Sequence, residues 1–156
     1  MEKKREILEE QIKQALTSTF KVISNHIEDK NSKNKDLKIK TLDFSEVKDL
    51  KSKNDYIRLR ANTDSKALKI RFSDHGIFIK NHPKNPALSK IYELSEKIRC
   101  EMLGSKMLNG IKKNLENNYY QKINNKKYKD VNAKKDINTL DAFDLYIIEK
   151  FFKINL

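Results

Sequence analysis

The chain is 156 residues long, carries a formal net charge of +12 at pH 7, and is 36% charged and 37% hydrophobic. This length is enough for one domain, and the low hydrophobic content predicts a thin core beneath long solvated helix faces. The sequence contains no apolar run of the roughly 20 residues that a transmembrane helix needs. A single cysteine excludes an internal disulfide, so we expect a protein of the reducing cytoplasm.

The positive charge has two interpretations. Only five of the 34 basic residues are arginine, and the lysines accompany abundant asparagine and isoleucine, a combination typical of an AT-rich genome. The first interpretation is therefore codon bias on exposed positions. A basic surface also attracts anionic partners, and composition alone does not decide between the two.

The N-terminal segment is predicted to form an amphipathic helix over residues 3–24. Glutamates near its start favour the positive end of the helix dipole. Its apolar stripe consists of Leu8, Ile12, Ala15, Leu16, Thr19, Val22 and Ile23.

A second helix is predicted from Asn54 to about Phe72. The residues that follow its helical spacing are Ile57, Ala61, Asp64, Leu68 and Phe72. Arg58, Arg60 and Arg71 cluster in the same segment. Arginine in a chain that otherwise uses lysine indicates that planar, bidentate geometry matters at those positions.

The middle of the chain predicts two helices joined by a short elbow. The apolar face of the first consists of Leu88, Ile91, Leu94, Ile98 and Met102. Glu93 and Lys97 are spaced as an i,i+4 ion pair on its other side. Gly104 is expected to end this helix in the left-handed conformation, and Asn109-Gly110 is a turn signal. The second helix follows with Ile111, Leu115, Tyr119 and Ile123.

The C-terminal part begins with residues 122–137, which are rich in lysine and asparagine and are predicted to be a flexible basic connection or a frayed helix end. A last helix is predicted over residues 139–152, with Asn138 as its N-cap and Asp141 in its first turn. Its broad apolar face is formed by Leu140, Phe143, Ile147, Ile148, Phe151 and Phe152. A face of this width requires a packing partner.

These elements predict a mainly α fold, with one small domain over residues 1–156 built from four to five amphipathic helices. The exception is at most a minor two-stranded β element at about residues 36–41 and 76–80, and a continued helix is an equal alternative for residues 76–80. Apolar side chains alternate with lysine in the first of these segments and form a short apolar run in the second.

Catalytic residues are not expected. The three glycines are too scattered for a phosphate-binding loop. His26, His75 and His82 lack the spacing of a zinc site with Cys100, which favours surface histidines and a buried thiol over a metal site. Cys100 also has no histidine in the local pattern that would activate it as a nucleophile.

Five charged residues stand out from the lysine-rich background: Asp64, Arg71, Glu96, Arg99 and Glu101. One interpretation is a salt-bridge network that fixes helix packing. The other is a docking surface for partner subunits. Buried ion pairs specify geometry more reliably than they add stability, so the two interpretations overlap.

These residues belong to two motifs. The first reads Asp64-Ser65-x-Ala67-Leu68-x-x-Arg71-x-x-Asp74, and the second reads Glu96-x-x-Arg99-x-Glu101-x-x-Gly104-Ser105 followed by Gly110-Ile111-x-x-Asn114-Leu115. From about residue 53 to residue 120 the chain resembles the N-terminal region of the CobT subunit of aerobic cobaltochelatase. Such subunits also carry an acidic linker and a C-terminal von Willebrand factor A domain, and these 156 residues contain neither.

The resemblance implies a non-catalytic adaptor of an ATP-dependent cobaltochelatase, which inserts cobalt(II) into hydrogenobyrinic acid a,c-diamide during cobalamin biosynthesis. It implies two partners, an AAA+ subunit of the CobS type and a large chelatase subunit of the CobN type. Cobalt and ATP are then used by the complex, and no cofactor is expected on this chain. The helix elbow, marked by Gly104, Gly110 and Asn114, would shape the adaptor surface.

The alternative is a free-standing basic nucleic-acid-binding module. Nine lysines between residues 106 and 135 lie among Tyr119, Tyr120 and Tyr128, as in single-strand binders with stacking aromatics. We favour solvated lysines and tyrosines that anchor a helix, because the sequence has no helix-turn-helix, RNA-recognition or zinc-finger signature.

Overall fold

The computed structural model of the chain describes residues 2–24, 45–125 and 138–153. Its elements are, in chain order, α1 (Glu2–Ile23), a short 3₁₀ helix (Ser45–Asp49), α2 (Lys53–Phe72), α3 (His75–Lys80), α4 (Pro86–Met107), α5 (Asn109–Asn125) and α6 (Thr139–Phe152). The described residues contain six α-helices and no strand, so the mainly α prediction is confirmed, with more helices than the four to five expected. None of these helices combines the length and the apolar character needed to cross a bilayer.

Of the two alternatives for residues 76–80, the helix is present as α3 and the strand does not form. The expected partner strand, residues 36–41, lies outside the described residues. Asp74 caps α3, since its carboxylate accepts a hydrogen bond from the backbone N–H of Ile77 at 2.9 Å. Ile77 and Ile79 are largely exposed. A short apolar run of this kind does not distinguish a strand from a helix by periodicity alone.

The chain divides into two compact units, Met1–Arg71 and Phe72–Leu156. The expectation of a single domain over residues 1–156 stays a prediction. In the first unit, Leu16 of α1 packs with Val47 of the 3₁₀ helix and Leu59 of α2 to form a small hydrophobic core.

The buried stripe of α1 differs from the predicted stripe. Leu16, Phe20 and Ile23 are buried, whereas the predicted members Leu8 and Val22 are largely exposed. The three buried residues are spaced i, i+4 and i+7 and therefore lie on one side of the helix. The buried stripe is therefore narrower than the predicted one and does not include Leu8 or Val22.

A reciprocal capping arrangement between Ser52 and Asp55 begins α2. The Asp55 carboxylate accepts a hydrogen bond from the backbone N–H of Ser52 at 2.9 Å, and the Ser52 hydroxyl accepts one from the N–H of Asp55 at 3.2 Å. The Ser52 hydroxyl also donates to the carboxylate, and this bond is the main cause of a lowered pKa at Asp55. The helix then runs to Phe72, where the sequence predicted its end.

Asparagine caps begin both α4 and α6. The side-chain oxygen of Asn85 accepts a hydrogen bond from the N–H of Leu88 at 3.2 Å, and Pro86 occupies the first turn of α4, where no N–H is needed. Asn138 accepts from the N–H of Asp141 at 2.9 Å, which confirms the N-cap predicted for the last helix.

The predicted end of a helix at Gly104 is wrong. Gly104 is buried inside α4, which continues to Met107, and none of the chain's three glycines, all of them described, has a positive φ. The chain leaves the helix at Leu108, whose φ of −135° and ψ of 109° are extended. An elbow between two helices therefore exists, but a non-glycine residue makes it.

In the second unit, α5 and α6 both pack against α4. The buried apolar residues of this unit are Ile98, Cys100, Ile111, Leu115, Tyr119, Ile147, Ile148 and Phe152. The ring centroids of Tyr119 and Phe152 lie 5.0 Å apart, which joins α5 to α6. The apolar face of α6 thus has its packing partner within the unit. The first residues of the predicted connection, 122–125, belong to the helix α5. Residues 126–137 lie outside the described part.

Candidate functional site

Asp64 and Arg71 lie in the first unit, where each has a partner. Asp64 is completely buried, and the Nε atom of Arg60 lies 3.3 Å from its carboxylate. Arg60 also donates to the hydroxyl of Thr19 at 3.1 Å. Arg71 donates to the carbonyl oxygen of Ile23 at the end of α1, at 3.1 Å. Arg60 and Arg71 therefore fasten α2 to the C-terminal half of α1.

Glu96 and Arg99 form a bidentate ion pair within α4. The guanidinium of Arg99 donates to the two carboxylate oxygens of Glu96 at 2.7 and 2.8 Å and to the carbonyl oxygen of Phe72 at 2.7 Å. The hydrogen bond from Arg99 is the main cause of a lowered pKa at Glu96, about 2, to which a hydrogen bond from Ser73 also contributes. The same contact raises the pKa of Arg99. The pair remains charged at any physiological pH.

Glu101 faces a different partner from its neighbours in the motif. Its carboxylate, almost completely buried, accepts a hydrogen bond from the hydroxyl of Tyr119 on α5. Lys97 supplies the balancing charge, with its Nζ atom 3.6 Å from Glu101 and 5.6 Å from the centre of the Tyr119 ring. Burial, followed by the charge of Glu101, raises the pKa of Tyr119.

The ion pair predicted between Glu93 and Lys97 does not form. Lys97 is drawn to the buried Glu101 instead, one helical turn further on. Glu93 accepts hydrogen bonds from the opposite direction, from Ser89 and His82. Because Glu101 is buried and Glu93 is exposed, the cation gains more by pairing with Glu101.

A third buried carboxylate, which the sequence analysis missed, joins α5 to α6. Asp144 lies in the apolar face of α6, is buried, and pairs with Lys122 of α5. Its charge contributes to the raised pKa of Tyr119, which places it near the Glu101–Tyr119 bond. The sequence signal is an acidic residue between Phe143 and Ile147 of an apolar stripe.

The three predicted elbow residues lie on either side of Leu108 and do not form it. Gly104 is buried in α4, and the N–H of Leu108 donates to its carbonyl oxygen at 3.0 Å. Gly110 lies in the first turn of α5, where an added Cβ atom would meet no atom within 4 Å. Asn114 is half-buried one turn further along.

Ser89, His82 and Glu93 lie close together but lack the geometry of a catalytic triad. The Nε2 atom of His82 is 3.2 Å from both the Ser89 hydroxyl and the Glu93 carboxylate. In a triad the carboxylate orients the ring through the other nitrogen and leaves Nε2 to accept the serine proton. The rings of His82, Phe78 and Tyr92 instead contact one another, with the His82 centroid 5.4 Å from that of Phe78 and 5.7 Å from that of Tyr92. This cluster fastens α3 to α4.

The histidines and the cysteine considered for a metal site have different environments. His75 is exposed, His82 is engaged in the aromatic cluster, and Cys100 is completely buried beside Glu96 and Arg99. His26 lies outside the described residues. Within the described ranges, no group of three or more His, Cys, Asp or Glu side chains is arranged to hold a metal ion.

One open groove runs between α4 and α6 in the second unit, with a volume of about 440 Å³. We call it the α4–α6 groove. Its lining residues are Ser95, Ile98, Arg99, Met102, Leu103, Lys106, Ile147 and Phe151. Arg99 is thus the one member of the predicted polar set that also borders this cavity.

The comparisons with known proteins identify the family. Neither the curated proteins nor the solved structures contain a match. The model of the family described as cobalamin biosynthesis protein CobT matches residues 8–153, which is most of the 156-residue chain. The chain therefore belongs to the CobT family of cobalamin biosynthesis proteins.

Proposed function

We propose that this chain is a non-catalytic adaptor of an ATP-dependent cobaltochelatase, which inserts cobalt(II) into hydrogenobyrinic acid a,c-diamide. Membership of the CobT family supports the pathway. In this proposal a large subunit of the CobN type holds the tetrapyrrole and the metal, and an AAA+ subunit of the CobS type hydrolyses ATP. The present chain binds neither cobalt nor ATP and works by joining the other two.

The observation that carries this proposal is that the charged motif residues of the second unit are paired within that unit. Glu96 and Arg99 neutralise each other, and Glu101 is buried against Tyr119. A catalytic acid or base needs a suitable pKa and access to substrate, and these groups are committed to one another or to the packing of α4 and α5. Such contacts rigidify a scaffold.

A rigid scaffold suits the coupling that the proposal requires. ATP hydrolysis on one subunit changes chemistry on another only if a connecting element transmits the conformational change. Helices tied by the Glu101–Tyr119 and Lys122–Asp144 contacts move together as a unit rather than sliding separately. The adaptor therefore transmits movement through its docking faces.

The test is association with purified partners. An affinity-tagged chain is expected to retain the AAA+ and large chelatase subunits, and Arg99→Ala is expected to weaken this association by about tenfold or more. Lys90→Ala, an exposed position on the same helix, is the matched control and should leave it unchanged. If the unmodified chain retains neither subunit, the adaptor proposal is wrong.

The rival function, nucleic-acid binding, receives less support. Tyr119 is buried and cannot stack on bases, and Lys112 and Lys122 are paired with Glu116 and Asp144. Five of the nine lysines considered for this role lie outside the described residues. A nucleic-acid binder would show affinity for duplex DNA that falls with salt by about 0.9 log units per log unit of salt for each phosphate neutralised.

A further inference from the structure

We infer that the α4–α6 groove binds an acidic amphipathic helix of a partner protein. The inference rests on the proposed function, in which the chain works by docking, and it names the surface and the chemistry of its partner. The groove lies within the second unit and is formed by two of its helices.

The shape of the groove fits a helix. Its six residues on α4, from Ser95 to Lys106, follow three- and four-residue steps along one face. At 1.5 Å per residue this face is about 16 Å long, or about three helical turns. Apolar grooves of this length are filled by the i, i+3, i+4 and i+7 side chains of an amphipathic helix.

The floor and walls of the groove are apolar. Ile98 and Ile147 form a buried floor, while Leu103 is 36% and Phe151 is 49% exposed at the edges. Met102 lines the groove between them, and its flexible side chain adapts to the shape of an occupant. Exposed leucine and phenylalanine around a concave apolar surface are typical of a protein-binding site.

The charge at the edges selects an acidic occupant. The charged lining residues are Arg99 and Lys106, and the lining includes no carboxylate. Glu96 neutralises much of the charge of Arg99, whereas Lys106 forms no ion pair with the described residues and supplies most of the attraction. The two cations are seven residues apart, about 10 Å along the helix, so acidic residues seven positions apart on the partner would meet both.

Two other possible occupants of the α4–α6 groove match the positive charge at its edges less well. A second copy of the chain would bring its own Arg99 and Lys106 toward a like-charged rim. Residues 126–137 of the same chain carry five lysines against two aspartates, so they are repelled by the same cations. A partner that supplies carboxylates beside apolar anchors has neither disadvantage.

The test uses two synthetic helix-forming peptides that share one stripe of leucines at i, i+4 and i+7. In one peptide glutamates flank the stripe seven positions apart, and in the other lysines replace them. Fluorescence anisotropy measures their binding to the full 156-residue chain at low salt. We expect the glutamate peptide to bind at least about tenfold more tightly than the lysine peptide.

Three variants locate the site. Leu103→Asp is expected to weaken binding of the glutamate peptide by at least about tenfold, and Lys106→Glu should shift the preference toward the lysine peptide. Leu88→Asp, an exposed position of α4 outside the groove, should leave binding unchanged. Thermal unfolding of each variant, compared with the unmodified chain, identifies any loss that arises from misfolding.

The inference is overturned if neither peptide binds, if both bind equally, or if Leu103→Asp folds and binds as well as the unmodified chain. This outcome is separable from failure of the proposed function. If the chelatase subunits bind the chain and Leu103→Asp leaves them bound, the groove is not the docking site, while the adaptor function stands. If they do not bind the unmodified chain, the adaptor function fails whatever the peptides do.

Discussion

The hydroxyl group of Tyr119 donates a hydrogen bond to the carboxylate of Glu101, and each of these residues is only 1% exposed. This bond joins α5 to α4 across 18 positions of sequence. A buried carboxylate without partners costs far more than the bond contributes, so removing either residue leaves a penalty on the other. The second unit is therefore sensitive to changes at this pair.

Tyr119→Phe tests that sensitivity. The substitution keeps the ring contact with Phe152 but removes the donor to Glu101, and we expect it to lower the free energy of unfolding by about 1–3 kcal/mol. Urea unfolding at pH 7 measures the change. Tyr120→Phe, at a half-exposed neighbour, is the control and should alter stability by less than about 0.5 kcal/mol. Equal effects of the two substitutions would contradict the role of the buried bond.

Arg99→Ala is expected to raise the pKa of Glu96 from about 2 toward its ordinary value of 4.5, because the largest cause of the lowering is the Arg99 hydrogen bond. Carboxyl chemical shifts measured by NMR during an acid titration follow this pKa. Since Arg99 is half exposed, the loss of stability at pH 7 should be only about 1 kcal/mol.

The same pair makes stability depend on pH. In the folded protein the pKa of Glu96 is about 2, so between pH 4.5 and pH 2 the unfolded chain binds more protons than the folded one. The stabilisation from this carboxylate is complete above about pH 4.5 and is lost as the pH falls through about 2. The Arg99→Ala variant should lose less stability than the unmodified chain over this interval. An identical acid response in both proteins would refute the assignment.

Leu16→Ala should destabilise the first unit by about 2–5 kcal/mol, because Leu16 is buried against Val47 and Leu59 and its truncation leaves a cavity. Leu8→Ala, on the exposed side of the same helix, should change stability by less than about 0.5 kcal/mol. Thermal or urea unfolding distinguishes the two. Comparable losses would mean that α1 buries the broader stripe predicted from the sequence.

Gly110→Ala should stabilise the chain by about 0.5–1 kcal/mol, because its φ is not positive and an added Cβ atom meets no neighbour within 4 Å. Gly76→Ala should gain less, since its Cβ atom would approach a carboxylate oxygen of Asp74 to 3.3 Å. Melting temperatures measure both changes. A destabilised Gly110→Ala variant would show that the elbow does require glycine.

The long helices could be predicted from the sequence because their signals are local. Apolar spacing and Asn138 gave the bounds of α6, and the same spacing placed α2 within one residue of its start. The end of α4 was misplaced because glycine signals a helix end only when the chain turns there. Gly104 is buried inside the helix, and Leu108 makes the turn.

The polar contacts could not be predicted because they depend on tertiary structure. Nothing in the spacing of Glu101 and Tyr119 indicates that one hydrogen bond joins them, and the sequence analysis considered Tyr119 as a member of an apolar stripe and as a stacking aromatic. Lys97 was assigned to Glu93 by the i,i+4 rule, which applies equally to Glu101, and burial decides between the two. The salt-bridge interpretation included Glu96 and Arg99 but did not indicate which members of the polar set pair with each other.

The most direct test of the adaptor function is sedimentation velocity with the fluorescently labelled chain and the purified AAA+ and large chelatase subunits. The proposal predicts that the label moves with the much larger subunits when both are present and that ATP changes the extent of association. A label that sediments at the rate of the isolated chain in every mixture would contradict the proposal.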